Sequence, residues 1–211
     1  MFTGIVQSQA EVIAVIRKNN AITLKIVGAA SLINNLEAGA SVAINGVCLT
    51  AVEFGYCDLT ENGQSFITFD VIDETLRVSN LATVTEGSKV NVERSLKVGD
   101  EIGGHMLSGH VHTQAVVTER KDSIDNCSLS FSVASQYQKY IFAKGFISIN
   151  GTSLTIGADV GECFSVHLIP ETLARTNLQN IQIGDKVNIE FDQQTMTIVE
   201  TIERMNLTSM K

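Results

Sequence analysis

Three of the chain's four histidines lie in one short stretch, GGHMLSGHVHT at residues 103–113. They are His105, His110 and His112. Histidine is a common metal ligand, and it is also the side chain that titrates nearest to pH 7. The cluster could therefore hold a metal ion or carry protons. Which chemistry applies depends on the elements that position the stretch.

The histidine stretch opens the second of two tandem copies of one pattern. INGVCLT at 44–50 reappears as INGTSLT at 149–155, and TGIV at 3–6 reappears as SGHV at 108–111, both 105 positions later. ETLRVSNL, which starts at Glu74, reappears 97 positions later as ETLARTNL. Repeats that keep one order along the chain predict two copies of one domain. The expected units are residues 1–97, 98–193 and 194–211.

Each copy has the pattern of short β-strands. Segments such as 21–27 and 65–72 alternate apolar and polar residues or are rich in β-branched side chains. Asn-Gly pairs at 45–46 and 150–151 are typical of two-residue hairpin turns. These features predict an all-β protein of small closed barrels or sandwiches, with one short helix per copy near each ETL segment. The polar, glycine-rich stretch 95–104 is the expected linker.

The tail has no counterpart in the first copy. In QQTMTIVETIERMN at 193–206, Ile198, Ile202 and Met205 recur at helical spacing, with Val199 beside them. This pattern predicts an amphipathic helix with an apolar stripe. The stripe either packs on its own barrel or forms a seam between chains.

Composition and charge exclude several classes of protein. The net charge is −8 and the pI is near 5.0, which disfavours binding to nucleic acid. The N-terminal residues lack the pattern of a signal peptide, and the longest apolar runs are too short to predict a membrane span. The four cysteines form no C-x-x-C pair, so we expect free thiols in a reducing cytoplasm.

Six motifs of this chain resemble those of the riboflavin synthase family in its duplicated, trimeric form. They are MFTGIV, NGVCLT, DETLRVSNL, GGHMLSGHV, NGTSLT and LIPETLARTNL. The resemblance extends from Met1 to about residue 205. It implies two tandem similar six-stranded Greek-key β-barrels, followed by a C-terminal α-helix that joins three chains into a homotrimer. It also implies that the first barrel of one chain faces the second barrel of its neighbour.

The resemblance implies a reaction between two identical substrates. Two molecules of 6,7-dimethyl-8-ribityllumazine exchange a four-carbon unit, which yields riboflavin and 5-amino-6-ribitylamino-pyrimidinedione. One substrate is the donor and the other the acceptor, so neither a metal nor an organic cofactor is required. Two similar pockets suit two identical substrates, and holding reactants face to face can supply effective molarities of roughly 10⁵–10⁸ M.

Positions that differ between the matched copies are candidates for chemistry, because the donor and the acceptor need different groups. Ile5 matches His110, and Cys48 matches Ser153. The other unequal pairs are Gly39 with Lys144, Ser95 with Asp192, and Asp70 with His167.

The alignment of the copies bears on the three histidines. Because SGHV matches TGIV, we expect His110 on the first strand of the second barrel, which disfavours a metal-binding loop. From the sequence alone, one alternative is that His110 is purely structural and is hydrogen-bonded in a turn. The resemblance instead implies an active-site role, as a proton carrier for the acidic 7-methyl group or for a water that adds at C7. His105, in the linker, and His112, on the same strand face as His110, are expected to be mainly structural.

The resemblance gives further roles to unequal positions. Considered alone, Cys48 would be interpreted as a small buried apolar residue. The resemblance instead implies that it is a pocket residue that assists nucleophilic addition. Ser153 is its counterpart, and Asp192 is a carboxylate near the active site. Glu74 and Glu171 are either helix N-terminal carboxylates or partners for the ribityl hydroxyls.

The candidate catalytic residues are therefore His110, Cys48, Ser153 and Asp192. Most of the candidate substrate-binding residues occupy matched positions in the two copies. In the first copy they are Gly4, Ile5, Val6, Ser41, Cys48, Leu49, Thr50, Asp70, Val71, Ile72, Asp73, Glu74 and Thr75. In the second they are Gly109, His110, Val111, Lys144, Ser153, Leu154, Thr155, Ile169, Pro170, Glu171, Thr172, Leu173 and Ala174. No residue is assigned to a metal.

Two other classes of protein compete with an enzyme of this family. Lumazine-binding antenna proteins share the fold and hold a chromophore without turnover, but they lack residues of the GH-x-x-x-GH and NG-x-SLT patterns that this chain keeps. A flavin-binding reductase barrel would need an attached nucleotide-binding domain with a G-x-G-x-x-G motif, which the sequence does not contain.

Overall fold

Two closed six-stranded barrels follow one another in the computed structural model, which describes residues 1–57 and 63–205. The strands of the first barrel are β1 (Ser8–Lys18), β2 (Ala21–Ala29), β3 (Ser41–Ile44), β4 (Val47–Tyr56), β5 (Gln64–Ile72) and β6 (Lys89–Arg94). Those of the second are β7 (Thr113–Asp122), β8 (Cys127–Ser132), β9 (Phe146–Ile149), β10 (Thr152–Val160), β11 (Cys163–Leu168) and β12 (Lys186–Phe191).

Both barrels have the same antiparallel topology. The strand order is β1-β2-β5-β4-β3-β6 in the first barrel and β7-β8-β11-β10-β9-β12 in the second. In each, three consecutive strands joined as hairpins lie beside an earlier strand, which is the Greek-key arrangement. The expected all-β fold with two similar barrels is confirmed.

Alternation along the strands fills each barrel with aliphatic and aromatic side chains. On β2, Ile22, Leu24 and Ile26 are buried while the residues between them are partly exposed. On β8, Leu129 and Phe131 are buried in the same way. Because side chains alternate between the two faces of a strand, ligand groups can meet only the outward positions. Each barrel therefore encloses a packed core rather than a ligand cavity.

The two Asn-Gly pairs form the predicted hairpin turns. Asn45 and Gly46 have φ of 47° and 79°, and Asn150 and Gly151 have φ of 46° and 79°. Positive φ at both central residues is the requirement of a type I′ turn, which asparagine and glycine meet at low cost. The turns also touch each other, since a Cβ on Gly46 would lie 2.7 Å from the Gly151 nitrogen.

Buried asparagine side chains join the barrels around these turns. The Asn188 amide donates to the Asn45 carbonyl at 2.9 Å, and the Asn91 amide donates to the Asn150 carbonyl at 2.9 Å. The Asn80 side-chain amide donates to Asn150 Oδ1 at 3.1 Å. Unpaired buried polar groups are costly, so this reciprocal network favours one relative placement of the two barrels.

Three α-helices lie outside the barrels within the described residues. They are α1 (Asp73–Val78), α2 (Pro170–Arg175) and α3 (Gln193–Arg204). The first two confirm the short helix predicted near each ETL segment. Each is too short or too polar to cross a membrane. Residues 206–211 of the expected tail unit lie outside the described residues.

The tail helix α3 packs on its own barrel with one face and exposes the other. Met196 and Val199 contact the second core. The predicted stripe is outward, because Ile198, Ile202 and Met205 are 60%, 40% and 62% exposed. The helix therefore fulfils part of each expectation: it docks on its own barrel and still presents an apolar surface.

Candidate functional site

Two segments that lead into the barrels cross over to the opposite barrel. We call residues 1–6 the first leading segment and residues 105–111 the second. They pair with each other, since Phe2 N–H donates to the Leu107 carbonyl at 2.8 Å and Leu107 N–H donates to the Phe2 carbonyl at 3.0 Å. Phe2 and Leu107 are buried with Ala43 in a small cluster of their own. The crossing follows from this pairing.

The second leading segment lies on the first barrel. Cys48 N–H donates to the Gly109 carbonyl at 2.8 Å, and a Cβ on Gly109 would lie 2.5 Å from Cys48 Cβ. Val111 packs against the first core. The chain thus carries His110, whose side chain is exposed, to the surface of the barrel that contains Cys48.

The expectation that His110 stands on the first strand of the second barrel is wrong. Strand β7 begins at Thr113, so His110 and His112 both precede it and do not share a strand face. The physical reason is the crossing: the backbone around Gly109 is engaged with Cys48 of the first barrel. The repeat alignment located the matched residue correctly but could not show which barrel it contacts.

The first leading segment makes the reciprocal contact with the second barrel. Ser153 N–H donates to the Gly4 carbonyl at 2.8 Å, and a Cβ on Gly4 would lie 2.6 Å from Ser153 Cβ. Ile5, the counterpart of His110, is 46% exposed beside it. Cys48 on the first barrel therefore contacts the segment that carries His110. Ser153 on the second barrel contacts the segment that carries Ile5.

His105 contacts Ser153 directly. Its Nδ1 lies 2.6 Å from Ser153 Oγ, and its ring stacks on Phe146 with centroids 5.0 Å apart. Its Nε2 is buried without a hydrogen-bond partner among the described residues. Burial lowers the pKa of His105, and the charge of Asp192 opposes that shift. A neutral imidazole nitrogen can accept a hydrogen bond from the hydroxyl or donate one to it, according to the tautomer, so His105 orients the Ser153 side chain.

Comparison of the copies could not have found this contact. The offset of 105 leaves His105 without a matched position in the sequence, so it never appeared among the unequal pairs. The sequence offers only the Gly-Gly pair at 103–104 as a signal, and the structure gives its reason, since a Cβ on Gly104 would lie 2.6 Å from Ser153 Cβ. His112 differs from it: its Nδ1 accepts from Phe191 N–H at 3.1 Å, which ties it to the barrel wall.

Asp192 joins the second barrel to the tail helix. Its Oδ1 accepts hydrogen bonds from Thr195 N–H and Thr195 Oγ1, both at 2.8 Å, as the N-cap of α3. N-cap carboxylates of this kind stabilise the first turn of a helix. The same carboxylate is close enough to His105 to act on its charge. One oxygen of the Asp192 carboxylate is therefore already engaged by the helix that it caps.

The outward residues of β4 and β10 form the matched floors of the two candidate sites. Cys48 and Thr50 face outward while Leu49 is buried, and Ser153 and Thr155 face outward while Leu154 is buried. Ser41 pairs with Thr50 across β3 and β4. Leu49, Leu154 and Val71 can contribute only backbone groups to a ligand, because their side chains point into the cores.

Residues 39 and 144 occupy matched turns with positive φ, but one is a glycine and the other a lysine. Gly39 has a φ of 88°, and its counterpart Lys144 has a φ of 67°. A non-glycine residue in this region is disfavoured by roughly 1–2 kcal/mol. Lys144 is exposed, and its N–H donates to the Ile156 carbonyl at 3.0 Å. The second copy therefore places a cation where the first has no side chain.

Carboxylates at the other edge of each site are paired with cations or hydroxyls. Asp70 Oδ1 accepts hydrogen bonds from Thr23 Oγ1 at 2.6 Å and from Lys18 Nζ at 3.0 Å. These two hydrogen bonds hold the pKa of the Asp70 carboxyl below its ordinary value. Arg77 lowers the pKa of Glu74 in the same way, with a contact of 2.6 Å. Both glutamates of the ETL segments are exposed in the first turns of their helices.

The remaining candidates flank these carboxylates. Exposed side chains at the starts of α1 and α2 belong to Ile72, Asp73, Ile169, Pro170 and Ala174, and partly buried ones belong to Thr75, Thr172 and Leu173. Val6 is buried at the end of the first leading segment.

Comparison with known proteins agrees with the duplication of the domain. The lumazine binding domain family matches the chain twice, over residues 3–95 and 108–192. Riboflavin synthase of Escherichia coli (strain K12) is 47% identical over 206 residues, which are 97% of this chain and 93% of that protein. This chain belongs to the riboflavin synthase family. Riboflavin synthase of Chlamydia pneumoniae is 41% identical over 211 residues, the full length of both chains.

Solved structures support the fold of this riboflavin synthase family member. LumP complexed with riboflavin superposes with a TM-score of 0.80 at 23% identity, covering 92% of this chain and all of that one. LumP complexed with 6,7-dimethyl-8-(1'-D-ribityl) lumazine gives a TM-score of 0.78 at 22% identity, with the same coverage. At this identity the likeness concerns the two-barrel architecture.

Each histidine of the 103–113 stretch has its own contacts. Within residues 1–57 and 63–205, no three His, Cys, Asp or Glu side chains lie close enough to share a metal ion. His105 faces Ser153, His112 faces the Phe191 backbone, and His110 stands on the surface. The three imidazole rings therefore lie in three different surroundings, although they are close in sequence.

Proposed function

We propose that this chain catalyses the dismutation of two 6,7-dimethyl-8-ribityllumazine molecules to riboflavin and 5-amino-6-ribitylamino-pyrimidinedione. One observation supports the proposal: matched outward positions on the two barrels differ in groups that could move protons or act as nucleophiles. Cys48 is joined to the His110 segment on one barrel, and Ser153 is joined to His105 on the other. Identical substrates in unequal sites can take the donor and acceptor roles.

In the proposed mechanism the chain supplies orientation and proton transfer. The four-carbon unit leaves one lumazine and enters the other, so the two products account for all atoms of the two substrates. His110 is a candidate carrier for the proton of the 7-methyl group or for a water that adds at C7. Cys48, or Ser153 with its His105 partner, assists the addition. Backbone and hydroxyl groups of Thr50 and Thr155 hydrogen-bond the pyrimidine edges.

The ribityl chains are proposed to lie along the starts of α1 and α2. Glu74 and Glu171 are exposed there, each paired with an arginine of its own helix. A carboxylate paired with an arginine has further lone pairs that can accept hydrogen bonds from hydroxyl groups. Lys144 is proposed as an additional cationic contact on the second barrel, because its turn holds it at the surface.

The direct test is turnover by the pure protein. We expect riboflavin to form from dimethylribityllumazine, one for every two substrates consumed, with no added metal or cofactor. The reaction is followed by the absorbance of riboflavin, with and without a chelator. Tight binding of lumazine without any riboflavin would contradict the proposal and indicate a chromophore carrier. Loss of activity in chelator that a divalent ion restores would contradict the cofactor-free mechanism.

We further propose that three chains associate through α3, that the chain divides at 1–97, 98–193 and 194–211, and that it works in the cytoplasm. The exposed stripe of Ile198, Ile202 and Met205 supports association. All four cysteines lie in the described part of the chain and are free thiols, which suits a reducing compartment.

Disruption of the stripe is expected to shift the protein toward monomer. Truncation after residue 193 removes the stripe, but it also removes Met196 and Val199 from the second core. The double variant Ile198→Ser, Ile202→Ser avoids that loss because both side chains point outward. Light scattering should show a fall from trimer mass toward monomer mass. Ile183→Ser, at an isoleucine that is 63% exposed elsewhere, is the matched control. An unchanged mass in the double variant would place the seam elsewhere.

A further inference from the structure

Two buried glutamates occupy matched places in the barrels. Glu93 on β6 is 4% exposed and Glu190 on β12 is 3% exposed. Glutamate is rarely buried without partners, because removing a carboxylate from water is costly. Burial raises the pKa of both carboxyls, and hydrogen bonds from the adjacent leading segments oppose that shift. Their partners therefore indicate what each carboxylate holds.

Glu190 binds the second leading segment at three points. Its Oε1 accepts from Ser108 N–H at 2.7 Å and from Ser108 Oγ at 2.8 Å, and its Oε2 accepts from Gly109 N–H at 3.0 Å. Ser108 Oγ in turn accepts from His110 N–H at 3.1 Å. On the other side, the Gly109 carbonyl accepts from Cys48 N–H at 2.8 Å. The backbone on both sides of Gly109 is thus fixed from two barrels.

The first copy repeats this arrangement around a residue that cannot carry protons. Glu93 accepts from Thr3 N–H at 2.7 Å, Thr3 Oγ1 at 2.8 Å and Gly4 N–H at 3.1 Å. Thr3 Oγ1 accepts from Ile5 N–H at 3.3 Å. The carboxylate bonds are the same in kind and nearly the same in length. The molecule therefore contains its own control, in which the same anchor holds Ile5 instead of His110.

We propose that Glu190 is a positioning residue that holds His110 at the surface of the first barrel, through Ser108 and Gly109. The proposal rests on the proposed function, in which His110 transfers a proton at the Cys48 site. A carboxylate can accept all three hydrogen bonds, whereas a glutamine offers one acceptor oxygen and an NH₂ group that opposes an N–H donor. Glu190→Gln should therefore release Gly109 and shift His110 without altering His110 itself.

The test compares Glu190→Gln and Glu93→Gln, each alone and combined with His110→Gln. Small displacements of a reacting group can lower turnover roughly 10²-fold, so Glu190→Gln should lower kcat about 10- to 100-fold with little change in lumazine affinity. If Glu190 acts through His110, the double variant should be no slower than His110→Gln alone. Glu93→Gln acts on the other site, and its effect should multiply with that of His110→Gln.

A second readout does not depend on turnover. The imidazole resonances of His110, identified by their loss in His110→Gln, should shift in Glu190→Gln and stay in place in Glu93→Gln. If the wild type made no riboflavin, the proposed function would fail while this readout still decided the positioning role. Should Glu190→Gln not fold, Ser108→Ala removes one arm of the same anchor and should give a smaller effect of the same kind. Multiplicative kinetic effects or unmoved His110 resonances would overturn the proposal.

Discussion

His110→Gln is expected to lower riboflavin formation by roughly 10²–10⁴-fold, the usual range for removal of a general acid or base. Glutamine keeps the size and hydrogen-bonding capacity of the side chain but cannot carry a proton near pH 7. The loss should appear in kcat more than in lumazine affinity, because the missing stabilisation belongs mainly to the transition state. Stopped-flow turnover and ligand titration on the same preparation separate the two quantities.

His112→Gln is the matched control for this substitution. His112 stands two residues further along and accepts a hydrogen bond from Phe191 N–H, so its loss should affect stability more than turnover. Circular dichroism checks the fold of both variants. If folded His110→Gln keeps turnover close to that of the wild type, His110 shapes the site and does not carry the proton.

Gly109→Ala is expected to disable the first site through the backbone. Gly109 has a φ of 81°, and an added Cβ would lie 2.5 Å from Cys48 Cβ and 2.9 Å from the Cys48 nitrogen. Positive φ alone costs an alanine about 1–2 kcal/mol. The contact with Cys48 must be relieved in addition, and moving the segment carries His110 with it. We expect turnover to fall by about 10²-fold or more, measured together with the free energy of unfolding.

Gly184→Ala separates the effect of backbone strain from the effect of the contact with Cys48. Gly184 has a φ of 94°, and a Cβ there would meet nothing within 4 Å. It should lose stability by a similar backbone penalty and keep its turnover, because a Cβ there would displace no residue of either candidate site. Equal turnover in Gly109→Ala and Gly184→Ala would show that the fit between Gly109 and Cys48 has no role in catalysis.

Local patterns in the sequence were sufficient for the framework of this protein. The repeats predicted two similar units, and the Asn-Gly pairs predicted hairpins at 45–46 and 150–151. These predictions are confirmed because turn geometry depends on φ at adjacent residues, which asparagine and glycine determine locally. The spacing of Ile198 and Ile202 predicted α3 for the same reason: a helix is a local structure whose amphipathic face follows from its period.

The alternation of strand residues explains why the pocket residues implied by the family resemblance share one face of their strands. Because side chains of a strand alternate between its faces, NGVCLT and NGTSLT had to present Cys48 with Thr50, and Ser153 with Thr155, on one side. Comparison of the copies then identified the unequal positions. None of these steps required knowledge of how the two barrels pack together.

The tertiary structure determined which residues each chemical group contacts. Residue types cannot show that the leading segments cross over, because the crossing depends on pairing between Phe2 and Leu107 and on two carboxylates far away in the chain. Glu190 lies 82 positions from Ser108, and His105 lies 48 positions from Ser153. Such contacts form only when the barrels close and their buried polar groups must find partners. For that reason His110, which the sequence assigned to the second barrel, stands on the surface of the first.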